Sequence, residues 1–112
     1  MEDIIDYIDR IDHKPNLNWI DTSKLVDMNC LFKDKTNFNG DISEWDVSNV
    51  KSMVRMFYHS YFNGNVSKWN VSNVESMHGM FQYTNFNNDI SGWDVFKCHD
   101  FENMFMNDTI FC

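Results

Sequence analysis

The chain has 112 residues, 43% of them hydrophobic and 16% aromatic, with a net charge of −8 and a pI near 4.7. That length fits one domain, and that much apolar mass excludes a wholly disordered chain. The acidic balance argues against a face built to grip a phosphate backbone, which needs Lys and Arg concentrated together.

The opening "EDIIDYIDRID" places Ile4, Ile8 and Ile11 on one helical face, with acids at the dipole-positive start. "HKPN" follows, and Pro15 stops the helix. Residues 1–19 are therefore expected to form an N-terminal amphipathic helical cap. The start lacks a basic segment followed by an apolar run, so no secretory signal is expected. No stretch approaches the roughly 18 apolar residues of a membrane span. Both features lead to the expectation of a cytoplasmic, intracellular protein. Cys30, Cys98 and Cys112 are odd in number and have no metal-site spacing, which reads as three reduced thiols.

From Phe38 onward the chain writes nearly the same sentence three times: "FNGDISEWDVSNVKSMVRMF", "FNGNVSKWNVSNVESMHGMF" and "FNNDISGWDVFKCHDFENMF". The offset is 24 residues in every column. Phe38, Phe62 and Phe86 open the units; Trp45, Trp69 and Trp93 follow; Met56, Met80 and Met104 and then Phe57, Phe81 and Phe105 close them. A weaker unit upstream, "IDTSKLVDMNCLF", aligns at an offset of 25. Three and a half to four tandem units result, 20–37, 38–61, 62–85 and 86–105, with 106–112 as a tail or cap. Trp19 is off register and reads as a cap on the end of the stack.

Each unit divides into two predicted elements. "DISEWDV" is β-branched and aromatic and follows a turn, which predicts a short strand. In "SNVKSMVRMF", Val50, Met53, Met56 and Phe57 fall at i, i+3, i+6 and i+7, which predicts a short helix. Ser48 and Ser72 read as its N-caps, and Ser72 with Glu75 as a capping box. One unit cannot bury its own apolar face, so stacked copies should share one continuous core.

The columns "FN-x-x-I-S-x-W-D-V-S-N-V-x-x-M-x-x-M-F" resemble the BspA-like repeat family of mycoplasma-type surface lipoproteins over residues 20–105. The resemblance implies an α/β, right-handed solenoid of leucine-rich-repeat type, each repeat of about 24 residues giving a parallel strand and a helix. It also implies binding of other proteins, on bacterial surfaces, in protists and in large viruses and phages. No catalytic residue belongs to that motif. The last unit departs from it: Phe96 and Lys97 replace the serine and asparagine, so the capping serine is lost.

Several patterns have two readings. "KCHD", Lys97 to Asp100, sets Cys, His and Asp side by side, but nucleophilic chemistry needs groups that meet in space. Cys98 also occupies a Val column, which makes it a core thiol. His13, His59, His78 and His99 form no H-x-x-x-H pair, so the spacing points to no zinc site. Asp41, Asn65 and Asp89 form one column, and Asp46, Asn70 and Asp94 another. They could ligate Ca²⁺, but Asp and Asn serve turns in their own right, and that reading is preferred.

Positions that differ between units and point outward are the informative ones, because the core does not dictate them. Arg55, Tyr58, His59, Tyr61, His78, Gln82 and Tyr83 are the candidate partner-binding residues, since Tyr and Arg favour interface centres. The expected function is a non-enzymatic protein–protein interaction module without cofactor or metal, a viral, phage or host-interaction accessory protein. One alternative is an acidic nucleic-acid mimic that inhibits a host defence protein. Another is a self-assembling structural unit, a homodimer through the C-terminal end.

Overall fold

The computed structural model describes residues 2–12 and 14–106. Helix α1 spans Glu2–Ile11 and is the sole helix among the described residues. Its Ile5 is 1% exposed and joins the core with Leu17, and Ile8 packs partly against it. Ile4, expected inward, is 52% exposed, so the buried face of α1 lies one residue further on. Beyond α1 the chain is turns and extended links, folded into a body of 37 × 32 × 21 Å.

The predicted strand and helix of each unit do not form, and the α/β solenoid expectation is overturned. Among the described residues the sheet-like pairing consists of four isolated parallel bridges: Asn16 with Asp41, Asp27 with Ser52, Ser52 with Ser76, and Ser76 with Asp100. Backbone hydrogen bonding shows why. Met53, Arg55, Phe57 and His59 donate their N–H groups to Ser76, His78, Met80 and Gln82 of the next unit at 2.8–3.0 Å. The residues between them turn back: Met56 N–H bonds Met53 C=O, Tyr58 bonds Arg55, and Ser60 bonds Phe57, at 3.1–3.3 Å. Alternate amides thus serve the neighbouring unit and the local turn. No N–H is left for an i→i−4 helical ladder, and backbone groups are satisfied without one.

Backbone handedness enforces the same outcome. Cys30, Arg55, Gly79 and Asn103 occupy one column and have φ of 61°, 52°, 62° and 59°. Asp34, His59 and Tyr83 form a second such column, with φ of 63°, 52° and 59°. A left-handed residue every fourth position interrupts any right-handed helix. Gly79 suits its place. A Cβ there would lie 3.0 Å from Gln82 Oε1 and 3.1 Å from Arg55 Cγ.

The apolar residues of the predicted helix are nevertheless inside. Val50, Met53, Met56 and Phe57 are all fully buried. Phe32, Phe57, Phe81 and Phe105 stack one above another, with centroids 5.4, 5.4 and 5.5 Å apart. Phe38, Phe62 and Phe86 form a second stack at 6.1 and 6.2 Å. The stacks touch where one unit passes into the next, Phe57 lying 4.4 Å from Phe62. Beside them each tryptophan donates its indole N–H to the unit before: Trp45 to Leu17 C=O, Trp69 to Ile42 C=O and Trp93 to Val66 C=O, at 2.9, 3.1 and 2.9 Å. Trp19 is 68% exposed, so it does not cap the stack. Most of the C-terminal tail or cap, 107–112, like His13, lies outside the described residues. No helix among the described residues is long and apolar enough to cross a membrane.

Candidate functional site

The turn columns hold the acids that could have formed a cation ladder. Asp41 Oδ1 accepts the Ser43 N–H at 3.0 Å and its hydroxyl at 2.7 Å. Asn65 accepts the same pair from Ser67 at the same two distances. Asp46, Asn70 and Asp21 repeat the pattern with Ser48, Ser72 and Ser23. Asp94 accepts the Phe96 N–H at 3.1 Å, without a hydroxyl, because Phe96 stands where the serine would be. These are Asx turns, and an Asn makes them as well as an Asp. Ser48 and Ser72 are therefore turn partners of Asp46 and Asn70, and the helix-cap and capping-box expectations fall with the helix.

The turns predict a pH response. The serine hydroxyls, and then the serine N–H groups, hold Asp21, Asp41, Asp46 and Asp89 below the usual carboxylate range. A carboxyl depressed in the folded state contributes stability above its unfolded pKa, near 3.9, and loses it as pH falls through the folded value. Thermal midpoints should therefore drop as pH falls below about 4. Replacing Asp41, Asp46 and Asp89 with Asn should flatten that acid limb and keep the turns. An unchanged slope in the triple variant would show that these turns do not govern acid stability.

"KCHD" does not assemble a nucleophile. Burial pushes the Cys98 thiol up, and its Sγ lies 3.6 Å from the Asp100 carbonyl. Lys97 Nζ turns away to Asn73 Oδ1 at 2.8 Å, and His99 is exposed. A protonated, half-buried thiol is a poor nucleophile.

The tyrosine-rich group divides. Tyr58 and Tyr83 meet edge to face with centroids 5.3 Å apart. Lys33 Nζ and Arg55 Cζ lie 5.6 and 5.8 Å from the Tyr58 centroid, in range of cation–π attraction. Arg55 and Tyr83 both have left-handed backbone, and Arg55 is exposed while Tyr83 is half-buried. Tyr83 continues the patch into a cleft of about 370 Å³. Thr36, Ser60 and Thr84, one hydroxyl from each of three successive units, line it together with Asn39 and Asn63. His59 and Tyr61 also line it. Tyr61 is 64% exposed, and His59 Nδ1 lies 3.0 Å from Asp34 Oδ1.

Two candidates fall outside this patch. Gln82 is buried, with its Nε2 against Met106 Sδ at 3.7 Å. It is covered, whereas Tyr58, one repeat before it in the same column, is half-buried. His78 belongs to another cluster, with Asp100 and Glu102. The spacing rules missed that trio because its members are 22 and 24 residues apart, and only stacking of units brings them together. Their shared column, His78 and Glu102 one repeat apart, was the available signal.

One family model, described as Mycoplasma protein of unknown function, DUF285, matches residues 1–112. The match agrees with the mycoplasma-type side of the resemblance and does not single out BspA-like repeats. No curated protein and no solved structure matches the chain.

Proposed function

The chain belongs to the DUF285 family, and we propose that it is a non-enzymatic protein-binding module whose partner sits on the tyrosine patch and its adjoining cleft. The observation that carries this is the Tyr58–Tyr83 pair, flanked by Lys33 and Arg55 and opening beside Tyr61. Aromatic rings with cationic neighbours are the residue types that concentrate binding energy at interface centres. They also form an aromatic and cationic spot on a chain of net charge −8, which suits a partner presenting acidic and apolar side chains. The likeness of the tandem motif to BspA-like repeats, which bind proteins elsewhere, points the same way.

The test is capture of partners from host lysate at low and high salt, with wild-type chain and with Tyr58→Ala and Tyr83→Ala. One partner held at high salt by the wild type and lost by both variants is the expected result. Each truncation should weaken its affinity by at least about thirtyfold, since truncating a hot-spot residue costs roughly 2 kcal/mol or more. Basic nucleic-acid-binding proteins released by salt would overturn the reading in favour of a polyanion mimic. Recovery of the chain alone would favour self-assembly.

A further inference from the structure

We propose that His78, Asp100 and Glu102 form a binding site for a borderline divalent transition ion, of which Zn²⁺ is the representative, and that the ion staples the last two repeats together. One ligand atom from each lies within 4.8 Å of the others. His78 Nδ1 and Asp100 Oδ1 are 3.6 Å apart. Two ligands in a tetrahedral shell with bonds of about 2.1 Å stand roughly 3.4 Å apart, so the His78–Asp100 pair needs only a small closure and the exposed Glu102 side chain swings in to complete the set.

The backbone sets this juxtaposition. Met77 N–H bonds Asp100 C=O at 2.8 Å, and Gly79 N–H bonds Glu102 C=O at 2.9 Å. These bonds bracket His78 and hold it beside both carboxylates. The Glu102 N–H also donates to Asp100 Oδ1 at 3.0 Å, which orients that carboxylate.

The equivalent place two repeats earlier has a different balance. There Asn29 Oδ1 accepts the Ser52 hydroxyl at 2.6 Å and the Val54 N–H at 2.8 Å, so acceptor and donors match. At the later place an imidazole lone pair and two carboxylates converge. Among the described residues no lysine or arginine pairs with any of them. The trio is half-buried to exposed, so an ion has access and open positions for water. One nitrogen and two oxygen ligands suit Zn²⁺, Co²⁺ or Mn²⁺, whereas Ca²⁺ and Mg²⁺ prefer all-oxygen shells.

The experiment titrates the full chain, thiols reduced, with Co²⁺ as a visible-absorbing probe, and then displaces it with Zn²⁺. One equivalent should bind saturably, without thiolate-to-cobalt charge-transfer bands. His78→Asn and Glu102→Gln should each weaken binding by at least about tenfold, the loss that even outer-shell changes cause. His59→Asn should leave it unchanged. Zn²⁺ should raise the thermal midpoint of the wild type, and much less that of Glu102→Gln. No saturable binding, thiolate bands, or undiminished affinity in Glu102→Gln would overturn the proposal. Glu102 is exposed, so that variant decides the matter even where His78→Asn fails to fold.

Discussion

Phe57→Ala should lower the folding free energy by about 3–5 kcal/mol, the range for truncating a fully buried phenylalanine. Phe57 is 0% exposed and sits in the middle of the phenyl stack. Phe32 lies 5.4 Å away on one side and Phe81 5.4 Å away on the other, at interplanar angles of 3° and 5°. Phe62 presses on it at 4.4 Å and Trp69 at 6.4 Å. No neighbour can collapse into the void without leaving its own stack. A domain of this size has about 5–15 kcal/mol in all, so the variant should be near its unfolding midpoint in mild urea. Phe105→Ala is the matched control. Phe105 ends the described part of the same stack and is 53% exposed. Its removal should cost less than half as much. Urea midpoints of both variants, read with unchanged slopes, measure the difference. Equal losses would mean that the stack does not carry the core.

The stacking columns were legible because identical residues recur at a fixed offset, and recurrence survives any local conformation. The local conformation was not legible from apolar spacing. Val50, Met53, Met56 and Phe57 are spaced as on a helix, yet successive three-residue turns bring the same residues inward. Periodicity reports which side chains are buried and is silent on the hydrogen-bonding path between them. A better signal lay in the column Cys30, Arg55, Gly79 and Asn103. A column that accepts Gly and Asn among its copies suggests a left-handed residue, which no helix interior tolerates well. The Asp and Asn columns were readable for the same reason, since a serine two residues on marks an Asx turn. The tyrosine patch was partly readable. Tyr58 and Tyr83 stand 25 residues apart, one off the repeat, so they meet as diagonal neighbours and not as copies. Gln82 varies within its column yet is buried, because variation between copies does not by itself require exposure.

Trp69→Ala should cost about 3–5 kcal/mol as well, for a different reason that a second variant separates. The Ile42 carbonyl accepts two donors, the Trp45 N–H at 3.2 Å from its own turn and the Trp69 indole N–H at 3.1 Å from the next unit. The indole is thus a cross-unit hydrogen bond placed inside the core, with Trp69 4% exposed. Trp69→Phe keeps an aromatic ring and deletes that donor. The carbonyl retains its turn partner, so the hydrogen-bond loss is about 1 kcal/mol rather than a full desolvation penalty. The smaller ring adds roughly another 1 kcal/mol for the void. Trp69→Phe should therefore lose about 2 kcal/mol, and the further loss to Ala reports ring packing, including the parallel stack on Trp93 at 6.5 Å. Trp19→Ala, at an exposed position, should stay within about 0.5 kcal/mol of the wild type. Chemical unfolding of the three variants checks the order. A Trp69→Phe variant as stable as the wild type would show that the indole bond contributes nothing, and that ring stacking and the cross-unit backbone bonds join each repeat to the one before it.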